Sequence, residues 1–86
     1  MKVLIPTPLR SYTAGAAEVE GEGGTVGGLL DSLERSFPGI RFRMIDEQER
    51  IRPHILVFVG AARAPGLTQP LDERDRVQIV CALSGG

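Results

Sequence analysis

Cysteine is nearly absent from this chain. Cys81 is the only one, which excludes an internal disulfide and any iron–sulfur or zinc site built on cysteine ligands. Histidine is equally scarce. His54 stands alone, with no nucleophile or orienting carboxylate near it in sequence to make it catalytic. No stretch approaches the roughly 18 apolar residues needed to cross a bilayer. The opening MKVLIPTPLR carries a cation but not the apolar run of a signal peptide. Basic stripes and polybasic tails are also missing, and the net charge is −1 with both signs interspersed. These absences point away from nucleic acid and membranes and toward a cytoplasmic protein.

The 86 residues, 42% apolar and 24% charged, make an ordinary globular balance. One domain over residues 1–86 is expected, with a modest core and little room for an internal substrate cavity.

Lys2 to Leu9 opens with Val3, Leu4 and Ile5 and reads as a strand that Pro6 and Pro8 cut short or confine to an edge. Ser11 to Gly15 is turn material, and Ala16 to Glu22 is a weak strand around Val19. The two strands suit a hairpin. Thr25 is a plausible N-cap for a helix. Behind it Val26, Leu29, Leu30, Leu33 and Phe37 form one apolar face at helical spacing, with Asp31, Ser32, Glu34 and Arg35 on the other. Pro38-Gly39 stops that helix. Ile40, Phe42 and Met44 alternate with Arg41 and Arg43, the pattern of a short strand, and Asp46 to Arg50 is a solvated turn.

Ile55 to Val59 is the strongest strand. Its unbroken apolar run predicts burial on both faces or a central place. Gly60 to Arg63 turns the chain, and Gly66 to Asp75 is a loop anchored by Leu67 and Leu71. Arg76 to Leu83 is the last strand, with Val77, Ile79, Cys81 and Leu83 on one face and Gln78, Val80 and Ala82 on the other. One main helix across one face of a mixed sheet is an α+β architecture. Parallel pairing of the first and last strands would make it a β-grasp.

Candidate sites fall away one by one. The glycine-rich Gly21 to Gly28 has no lysine and matches no phosphate-binding spacing, so it reads as a tight connection into the helix. Cys81 alternates with core residues, where a thiol is inert. Asp72, Glu73 and Asp75 are interrupted by Arg74 and Arg76 and read as a solvated turn. No triad, paired carboxylate or metal set emerges, so the chain is not expected to be an enzyme itself.

The sequence closes on Ser84, Gly85 and Gly86 directly after the last strand. Two glycines end a chain by chance about half a percent of the time, given glycine's usage of about 7%. Glycine adds nothing to a core and is expensive to order. A flexible tail over 84–86 does suit one task. A carboxylate must be activated before it reacts, and a tail without Cβ atoms can thread a narrow channel into an activating enzyme.

IPTPLRSYT (Ile5 to Thr13), TVGGLLDSLERSFPGI (Thr25 to Ile40), MIDEQERIRP (Met44 to Pro53) and the closing LDERDRVQIVCALSGG (Leu71 to Gly86) together resemble the ThiS/MoaD family of ubiquitin-like, β-grasp sulfur carriers, in particular its cysteine-biosynthesis branch. The likeness spans nearly the whole chain. It departs from the family at Leu56 and Gly60, where asparagines are frequent, at Ala61 and Ala62, where acidic residues are, and in GLTQPL, which is one residue longer.

The resemblance implies that an E1-like adenylyltransferase, using ATP and Mg²⁺, converts the Gly86 carboxylate to an acyl-adenylate. A persulfide or sulfide donor then gives a thiocarboxylate. A synthase takes that sulfur into cysteine, a thiazole, molybdopterin or another thio-metabolite. The chain itself would bind no cofactor or metal and would be a co-substrate. Gly86 would carry sulfur, Gly85, Ser84 and Leu83 would thread the partner, and Val80 and Ala82 would help to dock it. The terminus needs no prior cleavage on this reading. Two alternatives share the features: a ubiquitin-like modifier conjugated through Gly86, and a non-catalytic β-grasp interaction module with an incidental tail.

Overall fold

The computed structural model describes residues 1–82. β1 (Lys2–Leu4) is followed by a 3₁₀ helix (Thr7–Thr13), β2 (Glu18–Glu20), helix α1 (Val26–Ser36) and helix α2 (Ile40–Met44). The chain then forms β3 (Ile55–Val59), β4 (Ala62–Arg63) and β5 (Arg76–Cys81). The strands make one five-stranded sheet in the order β2-β1-β5-β3-β4.

β5 holds the centre. It pairs in parallel with β1, Val3 opposite Val77, and antiparallel with β3, Val57 opposite Ile79. The hairpin of β1 and β2 and the parallel first and last strands are as the sequence suggests. β1 ends early because Pro6 has no N–H to donate. Instead of a turn alone, Thr7–Thr13 winds into a 3₁₀ helix with proline in its first turn, and Arg10 Nε donates to the Ile5 carbonyl at 3.0 Å. β3 takes an inner place, paired with β5 on one edge and the two-residue β4 on the other. Ile55 and Val57 are buried, and Leu56 and Phe58 on the other face are half-buried.

Helix α1 lies across one face. Val26, Leu29, Leu30 and Leu33 are wholly buried, each such side chain contributing about 1.5–3 kcal/mol of transfer free energy. Thr25 Oγ1 accepts from the Gly28 N–H at 3.1 Å, the expected N-cap. Ser32 belongs to the buried side rather than the solvent face. Its hydroxyl donates to the Leu29 carbonyl at 2.9 Å and accepts from the Glu22 N–H at 3.1 Å, so burial leaves neither end unpaired. Gly23 passes so close to α1 that a Cβ there would collide with the backbone of Gly28 and Leu29.

Residues 40–44 form a helical turn, not the strand that alternation suggests. Ile40 and Met44, four apart, both point into the core, while Phe42 between them is exposed. The Glu34 carboxylate fixes this choice. It accepts from the N–H groups of Gly39 and Arg41, both at 2.9 Å, and so caps α2 from the end of α1.

Candidate functional site

The candidate site is the end of β5, where the chain leaves the sheet. Hydrogen bonding continues one residue past the strand, the Ala82 N–H donating to the His54 carbonyl at 2.7 Å. The backbone is therefore still paired with the sheet at Ala82. Leu83, Ser84, Gly85 and Gly86 lie outside the described residues.

On the outer face of the sheet, Val80 is half-buried and Ala82 exposed. Val80 stands directly opposite Leu56 of β3, so both belong to the same face. Leu56 replaces an asparagine frequent in the resembled family, and its side chain extends the apolar ground beside Val80. Gly60 makes a milder departure. Its φ of +60° is the left-handed conformation that asparagine also tolerates, so the turn after β3 is kept.

The opposite side of the tail root is a groove of about 470 Å³. Cys81 lines it with Pro8, Leu9, Phe42, Arg43 and His54. Arg52 completes it, its guanidinium 4.6 Å from the centre of the Phe42 ring and its Nε donating to the Phe42 carbonyl at 2.8 Å. Cys81 is half-buried here rather than sealed in the core. Burial pushes its thiol pKa up, the opposite of what a reactive thiolate needs. His54 shares the groove, yet no hydrogen bond joins the two among the described residues.

The remaining sequence candidates have structural tasks. The first N–H groups of α1 meet protein partners: Val26 donates to the Gln69 carbonyl at 3.0 Å and Gly27 to that of Leu67 at 2.9 Å. The glycine-rich approach is thus closed over by the 66–71 loop, and those N–H groups are not free to bind a phosphate. Asp72 Oδ1 accepts from Arg74 N–H at 2.9 Å, and Asp75 Oδ2 from Asp72 N–H at 2.7 Å, which makes the acidic stretch a self-satisfied turn. No helix among the described residues is long and apolar enough to cross a membrane.

Comparison with known proteins decides what this tail-bearing sheet belongs to. The model of the ThiS family matches residues 3–86. The chain belongs to the ThiS family. It is 32% identical to the sulfur carrier protein CysO of Mycobacterium tuberculosis, over 98% of this chain and 96% of that protein. The crystal structure of the Amycolatopsis orientalis BexX/CysO complex contains a chain of the same fold. The TM-score is 0.91 with 34% identity, covering 99% of this chain and 98% of that one. Small archaeal modifier protein 3 of Haloferax volcanii is 32% identical over 72% of this chain and 70% of its own length. The fold is that of ubiquitin-like β-grasp proteins, and the whole-length match to sulfur carriers supports the same role here.

Sequence reasoning missed Phe42 as a site residue because it assigned residues 40–44 to a strand. The signal was present: Ile40 and Met44 also fit a four-residue spacing, which leaves Phe42 and its flanking arginines outside.

Proposed function

We propose that the chain carries sulfur as a thiocarboxylate on Gly86. In the first step the Gly86 carboxylate attacks the α-phosphate of ATP in a Mg²⁺-dependent, E1-like adenylyltransferase. Pyrophosphate leaves and an acyl-adenylate remains. In the second step sulfide, or the terminal sulfur of a persulfide, attacks the acyl carbon. AMP leaves. Sulfide gives the thiocarboxylate directly, whereas a persulfide gives an acyl disulfide. A second thiol must cleave its S–S bond, forming a disulfide with the donor sulfur and releasing the thiocarboxylate. A synthase then accepts the sulfur. The chain contributes the handle and the reacting terminus, and the partners contribute the catalysis. ATP and reduced sulfur are both cytoplasmic reagents, which fits a cytoplasmic carrier.

The observation that carries this reading is the way β5 delivers the tail. The central strand is hydrogen-bonded on both sides and still paired at Ala82, so the residues beyond it start from a fixed point. Gly85 and Gly86 supply no side chain to obstruct a channel, and Ser84 and Leu83 meet its mouth. Val80 and Ala82 dock on the outer face beside Leu56. A partner that holds its carrier in a stable complex, as in the BexX/CysO structure, suits such a surface.

The test is intact mass after incubation with ATP, Mg²⁺, sulfide and an adenylyltransferase from the same cell. One oxygen exchanged for sulfur, lost on deletion of Gly86, is the expected result. No exchange, with the enzyme active on another carrier, overturns the reading. The likeness to an archaeal modifier protein supports a second reading, in which the same acyl-adenylate ends as an amide on a lysine. The product on Gly86 separates the two.

A further inference from the structure

Phe42 is the exposed large apolar side chain of the described residues, at 58% of its full accessibility. Arg52 is stacked on its ring and Arg43 is adjacent to it in the chain. The groove they form with Cys81 contains two guanidinium groups, one imidazole and no carboxylate. Neither Arg43 nor Arg52 forms an ion pair among the described residues; Arg10, Arg35 and Arg63, away from the groove, form none either, whereas Arg41, Arg50, Arg74 and Arg76 do. The acidic turn at Asp72–Asp75 feeds the opposite end of β5. A chain whose net charge is −1 thus presents a positive, aromatic surface at the end where the tail leaves.

Reach decides what covers that surface. Four residues, 83–86, span at most about 14 Å when fully extended. An active site that receives Gly86 therefore lies within about that distance of Ala82, and its rim must stand over the ground beside the tail root. We propose that the groove at Phe42, Arg43 and Arg52 docks the acidic rim of the adenylyltransferase, with an apolar side chain of that enzyme against the Phe42 ring and carboxylates against the two guanidinium groups. An exposed aromatic backed by arginine is the composition of an interface hot spot, and the charges steer and orient the approach. This surface lies across β5 from the Val80 face, so the two grip the tail root from both sides. The inference rests on the sulfur-carrier reading.

The test is the steady-state rate of pyrophosphate release by the adenylyltransferase, with saturating sulfide to discharge the acyl-adenylate and with the unaltered chain, Phe42→Ser and Arg43→Glu as substrates at low and high salt. Circular dichroism checks that each variant is folded. Phe42→Ser is expected to raise KM about tenfold or more with kcat nearly unchanged, because the lost contact is made equally before and during the chemistry. Arg43→Glu is expected to raise KM and to weaken its dependence on salt. Folded variants with unaltered KM overturn the groove while leaving the carrier reading intact. Failure of the unaltered chain to release pyrophosphate overturns the carrier reading and this inference with it.

Discussion

Val3 and Val77 lie side by side in the parallel pairing of β1 and β5, and both are fully buried. The contact joins the two ends of the described chain into the middle of one sheet. Everything that fixes the tail root depends on it, because β5 is held between β1 and β3. Ile79 is on the same face two residues further on and is 2% exposed. Ile79→Ala is expected to cost about 2–5 kcal/mol through lost burial and a residual cavity. In a small domain that is a large share of total stability. Urea titration checks it, and a cost below about 0.5 kcal/mol, the range of surface changes, contradicts the packing described.

Gly23 gives a second prediction, and a more local one. A methyl group there meets backbone atoms of α1, not a side chain that can swing away. Gly23→Ala is expected to destabilise by about 1–3 kcal/mol, as overpacking does. Gly24, whose Cβ position is open, is the control. Thermal melts of the two alanine variants side by side read the difference, and equal melting temperatures would refute the close approach.

Helix α1 and the parallel pairing were legible in the sequence because each rests on its own pattern. Five apolar residues at helical offsets specify one face of a helix whatever else the chain does, and two strongly apolar strands need partners on both edges. Residues 40–44 were not legible in that way. Ile40, Phe42 and Met44 satisfy a two-residue period, and Ile40 with Met44 satisfies a four-residue one. The decision comes from Glu34, which lies in the preceding helix and caps α2 through Gly39 and Arg41. A contact across a chain reversal is invisible to local periodicity. The same misassignment hid Phe42 and with it the basic groove. The 3₁₀ helix after Pro6 escaped for a related reason, since proline suits both a turn and the start of a helix.

Acid should weaken this fold. The backbone N–H groups of Gly39 and Arg41 hold the Glu34 carboxyl below its usual value. Backbone N–H donation from Arg50 does the same for Asp46, and the Arg41 side chain does so for Glu49. Each carboxyl binds its proton less readily folded than unfolded. Their contribution is therefore complete above the ordinary carboxylate range, about pH 4, and is lost as pH falls through it toward the lowered folded values. The urea midpoint is expected to drop between pH 7 and pH 3, and Glu34→Gln to shrink that drop while lowering the midpoint at pH 7. A midpoint that is the same at both values would remove these carboxyls from the account.

Lys2 is the only lysine; the other nine cations of the Lys and Arg total are arginines. It sits on β1 opposite Arg76, at the far end of β5 from the tail, with its ammonium 3.5 Å from Glu18. The Met1 ammonium is already engaged, donating to the Gly21 carbonyl at 2.8 Å. An acyl-adenylate at Gly86 is an electrophile that amines attack, whereas a guanidinium stays protonated and does not. The consequence bears on the second reading of function. Where activated copies link to one another, the amide forms at Lys2, with AMP leaving Gly86 and a proton leaving the amine. Incubation with ATP and the adenylyltransferase, without a sulfur donor, should give few linked copies, all mapping to Lys2 by peptide mass. Lys2→Arg should abolish them. With sulfide present the thiocarboxylate should replace them, since sulfide is smaller and more nucleophilic than an amine held in an ion pair with Glu18. Linked copies joined elsewhere, or persisting in Lys2→Arg, would show that another group on the surface is reactive.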